Sequence, residues 1–516
     1  MDEDKDDPVD LTGPETRSVY PSSHVTSPIQ PQKKLAPSFG FIYREAIKKL
    51  EPWLNASGHR GSFLTALLVT SLGLIASLIH PVLGAIVIAL ASFFLLASPS
   101  MMVVCLTCFP LLTSLNTAIF WREGGSLGVQ AILILGSFVA VLRMMIFQAA
   151  RPGRLCVMLA LVGFAGGLFG ALTSTAPGET ISSAFKFVVP LMPLAFWADQ
   201  LGRRGLGLGP STYAFAGVLA AISFGSLIVL LTGQGQTLNK VDFQGLLWHP
   251  QTCGLLLGLA CLFSALLPRL PKWLRGLWFA IAFGLMLMSW TRTAFVALVF
   301  AALALALSML WQHFRPRIRY GNAATIIATF GVVASLALGS ILYASNLKPA
   351  EYALETSTEL FSEEAYAGAR TFALYRSYAN FAKKPVAGIG FGVPSDPRLL
   401  DPVFARETTE RIKMGVGSEV LPDKGNAFLA ALEENGVLGG VLWLSLFAYC
   451  LALAVRSGPV ALAIGTYLTF SNLAEATLFS LGGIGMILWV GMIAGMSVKQ
   501  VDLNLSAIFP KTNKSS

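Results

Sequence analysis

From Ser62 almost to the C-terminus, apolar runs alternate with short polar breaks. The runs are about 17 to 25 residues long, the length a helix needs to cross a hydrocarbon core about 30 Å thick. Split at proline, glycine and charged clusters, they predict helices at 62–79, 81–98, 100–120, 127–148, 155–172, 184–200, 212–232, 250–267, 274–290, 293–311, 323–345, 426–454, 459–473 and 478–497. Two longer polar stretches interrupt the pattern, at 233–251 and 346–425. The expected fold is an all-α polytopic membrane protein of about 14 transmembrane helices, with one large extracytoplasmic loop between helices 11 and 12 that carries short amphipathic helices. The divisions are a disordered cytoplasmic tail at 1–60, helices 1–11 at 61–345, the loop at 346–425, helices 12–14 at 426–498, and a cytoplasmic tail at 499–516.

Composition agrees with that pattern. Of the 516 residues 54% are hydrophobic and only 13% charged, against about 25% charged in a soluble domain. A soluble enzyme is excluded, and no separate catalytic domain is left over. The net charge of +9 would suggest nucleic acid in a soluble chain, but the basic residues sit in the short breaks and report topology instead. Counted alternately from a cytoplasmic N-terminus, one set of breaks holds Arg151, Arg154, Arg203, Arg204, Arg269 and Arg275 among others. The short breaks of the opposite set hold Arg122, Lys186, Lys240 and Arg292. Both termini are therefore expected in the cytoplasm, and the loop at 346–425 outside it. The first residues are acidic and then rich in Pro and Ser, with no apolar core of a cleavable signal peptide. The stretch 39–54 mixes aromatic and basic residues and suits a helix lying along lipid headgroups. Cys105 and Cys108 lie in an apolar run where i and i+3 share a helix face, so they read as packing rather than as a redox or metal pair.

Chemistry concentrates in the long loop. Ser362-Glu363-Glu364 suits a helix start and Lys383-Lys384-Pro385 a helix end, each with the charge that the helix dipole favours. Between them Tyr366, Phe372, Tyr375, Tyr378 and Phe381 recur at roughly helical spacing, interleaved with Arg370 and Arg376. Arg376, Lys383 and Lys384 read as ordinary solvated or headgroup-anchoring cations. Arg370, with Arg292 at the outer end of a span, is suited to grip an anion, because a guanidinium donates two hydrogen bonds to one phosphate and never loses its proton. The glycines of Pro385-Val-Ala-Gly-Ile-Gly-Phe-Gly392 permit tight turns and close backbone approach to a ligand. With no strand ahead of it, the segment is not a dinucleotide site. His249, beside Pro250, reads as a helix cap, and the outer aromatics as an interfacial belt.

Five stretches together resemble the bacterial O-antigen polymerase and ligase superfamily, which includes exopolysaccharide polymerases: Ser289-Trp-Thr-Arg292-Thr, Gly368-Ala-Arg370, Pro385 to Gly392, Asn426-Ala-Phe-Leu-Ala-Ala-Leu-Glu-Glu434-Asn-Gly436-Val-Leu-Gly439, and Asn472-Leu-Ala-Glu475. His249-Pro250 is a looser match, and the resemblance covers residues 237–498. It implies metal-independent glycosyl transfer with no cofactor, at the periplasmic face of the bacterial inner membrane. It also implies an undecaprenyl-pyrophosphate-linked oligosaccharide as substrate, with membrane lipids, a chain-length regulator and export proteins as partners and no nucleic acid. On that reading Arg292 and Arg370 hold the pyrophosphate, while His249, Arg376, Gly388, Gly390, Asn426 and Glu475 line the substrate. Relatives commonly carry His before the Asn that opens helix 12, where this chain has Gly425, which transfers no proton. Asp423 and Glu434 are then the nearest candidates for the catalytic base, with Glu419 and Glu475 behind them. A polymerase is the favoured activity, a ligase of the same superfamily the alternative. A lipid-linked oligosaccharide flippase is the third reading, disfavoured because the chain lacks matched halves.

Overall fold

The computed structural model describes residues 58–95, 99–116, 119, 135–136, 153–204, 209–235, 243–247, 249–267, 269–314, 322–346, 363–401, 403–405, 407–408, 424–479 and 484–496. Among these the regular structure is helical, and the β pairing is one isolated bridge between Leu115 and Leu247. The helices are α1 (Gly58–Ile79), α2 (Pro81–Leu95), α3 (Pro99–Thr113), α4 (Arg154–Gly163), α5 (Gly170–Thr173), α6 (Pro177–Arg204), α7 (Gly209–Leu231) and α8 (Pro250–Leu266). They continue as α9 (Lys272–Met288), α10 (Arg292–Phe314), α11 (Asn322–Ser345), α12 (Glu363–Lys383), α13 (Ala427–Ser457), α14 (Pro459–Ala474) and α15 (Ile484–Met496). A π-helical turn, Phe164–Phe169, joins α4 to α5.

Among the described residues six helical stretches are long and apolar enough to cross a membrane: those of α1, α4 through α5, α7, α10, α11 and α13. Four more apolar helices are shorter, namely Val103–Thr113, α8, α14 and α15. The chain is thus a multi-pass, all-helical membrane protein, but the helices are less uniform than fourteen full spans. The expected fourth span, 127–148, lies outside the described residues except at 135–136. Local chemistry explains the other departures. α8 stops at Leu266 because Leu267, ahead of Pro268, is extended at φ −100° and ψ 92°. α9 ends two residues before the expected 290, where a tight turn begins at Ser289. α6 starts seven residues before the expected 184 and runs through Pro190 and Pro193.

α1 packs along α7, α10 along α14, α8 along α9, and α11 along α13. Aromatic rings tie the middle of the bundle together: Trp443 stacks on Phe447 at 6.0 Å, and both meet Trp489 edge-on at 6.3 Å. Phe187 joins Trp489 to Phe391, the latter at 5.6 Å, so the chain of rings runs from the bundle into the glycine-rich segment. α12 rests on α13 and α11. It turns Ala373 and Ser377 inward, with Asn380 one turn on, while Tyr375, Tyr378 and Phe381 stay half-buried. Small side chains, rather than the aromatics, thus make its closest approach to α13.

Candidate functional site

α13 begins normally. Asn426 caps it, its Oδ1 accepting the Leu429 N–H at 2.8 Å while its Nδ2 donates to Ser340 Oγ at 3.2 Å. Three turns on, the helix breaks at Gly436, with φ 60° and ψ −166°. In an intact helix the N–H groups of Val437 and Leu438 would bond to the carbonyls of Glu433 and Glu434. Here they donate instead to Pro385 O (2.8 Å) and Val386 O (3.3 Å). The freed carbonyls of Glu433 and Glu434 accept from the N–H groups of Ile389 and Gly390, both at 2.9 Å. Four backbone bonds are exchanged between the broken helix and the glycine-rich segment, so these groups keep partners despite the break. Two glycines make this possible. A Cβ on Gly436 would run into the Val386 carbonyl, and one on Gly388, at φ 72°, would run into the Glu434 carbonyl.

The exchange aligns side chains. Glu434 is buried; its Oε1 accepts from Lys424 Nζ at 2.6 Å and its Oε2 from the Gly392 N–H at 2.7 Å. Lys424 also donates to the Val393 carbonyl, and Ser377 Oγ donates to the Lys424 carbonyl at 3.0 Å. Glu433, wholly buried beside it, accepts on Oε1 from Asn380 Nδ2 at 2.7 Å. Asn380 Nδ2 donates as well to the Ser395 carbonyl, at 2.9 Å. Arg376 pairs with Asp396 at 2.8 Å and lies 4.8 Å over the Phe372 ring. Arg398 reaches the same carboxylate at 2.9 Å. Partial burial works to raise the Asp396 carboxyl, but the hydrogen bonds from Arg398 and the charges of Arg376 and Arg398 outweigh it and hold it below the ordinary carboxylate range.

A second polar region stands where α9 turns into α10. Ser289 Oγ and Thr291 Oγ1 are 2.9 Å apart, and Thr291 Oγ1 donates to the Pro250 carbonyl at 3.1 Å. Between them Trp290 has φ 51° and is 70% exposed, an unusual state for a bulky residue. Arg292 opens α10, exposed, its N–H bonded to the Trp290 carbonyl at 3.0 Å. Through Thr291 this turn is tied to the start of α8, where His249 Nδ1 accepts the Gln251 N–H at 3.2 Å as a cap. Glu475, buried and extended, follows the end of α14, which packs on α10.

The structure therefore brings Gly388, Gly390, Arg376, Asn426 and Glu434 into one neighbourhood, and His249 and Arg292 into another. Arg370 lies in α12, in a turn whose side chains fall outside the described residues, as do Asp423 and Glu419 altogether. Arg376 is not a solvated cation, since it is spent largely on Asp396. Lys424, Glu433, Asn380 and Ser395 were not singled out from the sequence. One signal was present: a lysine just ahead of a helix N-terminus faces an unfavourable dipole and needs an acidic partner.

This geometry belongs to a membrane protein whose polar groups are gathered inside the helical bundle, as in a membrane enzyme. Residues 277–444 match the O-antigen ligase family, a segment that runs from α9 into α13 and contains both α12 and the glycine-rich segment. The chain thus carries a domain of the O-antigen polymerase and ligase superfamily, whose members are membrane glycosyltransferase-like enzymes acting in polysaccharide biosynthesis. No curated protein matches the chain.

Proposed function

We propose that this protein is a polysaccharide polymerase, which moves a growing glycan from undecaprenyl pyrophosphate onto the next lipid-linked repeat unit at the outer face of the inner membrane. One observation carries the reading: within the matched segment, two consecutive carboxylates, Glu433 and Glu434, are buried at a deliberate break in a spanning helix. Ionisable groups inside a membrane bundle are costly and are retained for function. On this reading Arg292 and Arg370 hold the pyrophosphate and stabilise charge as the glycosidic bond breaks, without a metal. Preorganised donors of this kind contribute several kcal/mol. Gly388, Gly390, Asn426, His249 and Glu475 shape the substrate path, and both termini lie in the cytoplasm.

The second reading is a ligase that transfers the glycan to lipid A-core, favoured by the name of the matched family. The lipid-linked products of a deletion strain separate the two. Single repeat units on the carrier mean polymerase, and long chains stranded there mean ligase. Arg292→Ala and Arg370→Ala are expected to abolish polymer at unchanged protein level, with Lys rescuing poorly. Normal polymer from either Ala variant removes the proposed pyrophosphate grip.

A further inference from the structure

Three buried polar atoms around Glu433 have no protein partner: Glu433 Oε2, Ser395 Oγ and Arg376 Nη1. Their placement is linked. Asn380 Nδ2 donates to both Glu433 Oε1 and the Ser395 carbonyl, which sets these two residues on either side of one amide. Arg376 lies one turn before Asn380 on the same face of α12, and its other terminal nitrogen holds Asp396, the neighbour of Ser395. The three atoms also differ in kind: a carboxylate oxygen accepts, a guanidinium N–H donates, and a hydroxyl does both. Buried groups left in this state are rare and destabilising. A hydroxyl has the chemistry that all three lack, an O–H for Glu433 and an oxygen able to accept from Arg376 and Ser395. Glu434 is unsuited to that role, because Lys424 and the Gly392 N–H occupy both of its oxygens.

We infer that Glu433, Ser395 and Arg376 form a hydroxyl pocket, and that Glu433 Oε2 takes the proton of the acceptor sugar's attacking hydroxyl. The inference rests on the glycosyl-transfer reading but not on the choice between polymerase and ligase, since an acceptor hydroxyl attacks in both. In the step, the acceptor O–H bond breaks and its proton passes to Glu433, while the acceptor oxygen bonds to the anomeric carbon. The bond from that carbon to the pyrophosphate oxygen breaks, and its electron pair leaves with the lipid pyrophosphate, to which Glu433 returns the proton. Residues 393–398 are held over Glu433 by the Lys424, Asn380 and Arg376 contacts, and admitting the acceptor requires those contacts to open. Glu433 thereby supplies the base that Gly425, just ahead of α13, has no side chain to supply.

Glu433→Gln keeps the size of the side chain and its bond to Asn380 but puts an amide nitrogen where Oε2 stands. In the deletion strain this variant is expected at the wild-type protein level, with an unchanged unfolding temperature in detergent. Its glycan transfer is expected to fall by about 100-fold or more, and Glu433→Asp recovers part of it. Ser395→Ala, whose hydroxyl makes no hydrogen bond within the fold, is expected to slow transfer about tenfold with no loss of stability. Wild-type transfer in Glu433→Gln or in Ser395→Ala overturns the pocket. So does a lowered unfolding temperature with Gln and Asp equally impaired, the mark of a bound water with a structural role alone. If the deletion leaves every lipid-linked glycan unchanged, the glycosyl-transfer reading falls and the pocket with it. If long chains are stranded, only the polymerase reading falls, and Glu433→Gln is scored on ligation with the same expected loss.

Discussion

The break in α13 and the turn before α10 are both polar interruptions of apolar helices, yet they are held in opposite ways. At the break, charge is buried and the freed backbone groups of Glu433, Glu434, Val437 and Leu438 pair with the glycine-rich segment. At the turn, Trp290 and Arg292 stay exposed, and the Thr291 hydroxyl on the Pro250 carbonyl supplies the tie to α8. The first region is suited to fix groups within tenths of an ångström away from water. The second presents an aromatic ring and a cation outward. On the proposed function, proton transfer calls for the first sort of region and anion capture for the second.

Substitutions separate the two designs by size of effect. Gly436→Ala adds strain in a backbone state reserved for glycine and a collision with the Val386 carbonyl, so a loss of about 4 kcal/mol is expected. Denaturation of the purified protein measures it, and a loss below about 1 kcal/mol would mean that the exchanged backbone bonds are not obligatory. Lys424→Met leaves Glu434 buried without its cation and is expected to cost about 3 kcal/mol. Adding Glu434→Gln to that variant should restore most of the stability, and failure to do so would assign Lys424's contribution to its bond with Val393 instead. Smallest is Thr291→Val at the exposed turn, about 1 kcal/mol for the bond to Pro250. A loss there as large as that of Lys424→Met would erase the contrast between the regions.

Much of the bundle was legible because span length and apolar content speak directly. The expected 212–232, 293–311 and 323–345 lie within three residues, at each end, of α7, α10 and α11. α12 occupies the stretch framed by an acidic start and a basic end. The break was not legible. A lone glycine in an apolar helix is ordinarily tolerated, and the segment that completes the break lies about 50 residues upstream. Nor does a Glu-Glu pair reveal which member is held by a lysine, since adjacent helical residues point about 100° apart. Glu434 drew notice through the resemblance, while Glu433 needed coordinates to show that one of its oxygens is unmatched.

The backbone exchange makes 385–390 and 433–438 one unit spelled in two places. Chimeras between relatives that swap the glycine-rich segment alone, or the broken helix alone, would join halves never selected together. A graft intended to change sugar preference should therefore carry both pieces, whatever else it leaves behind.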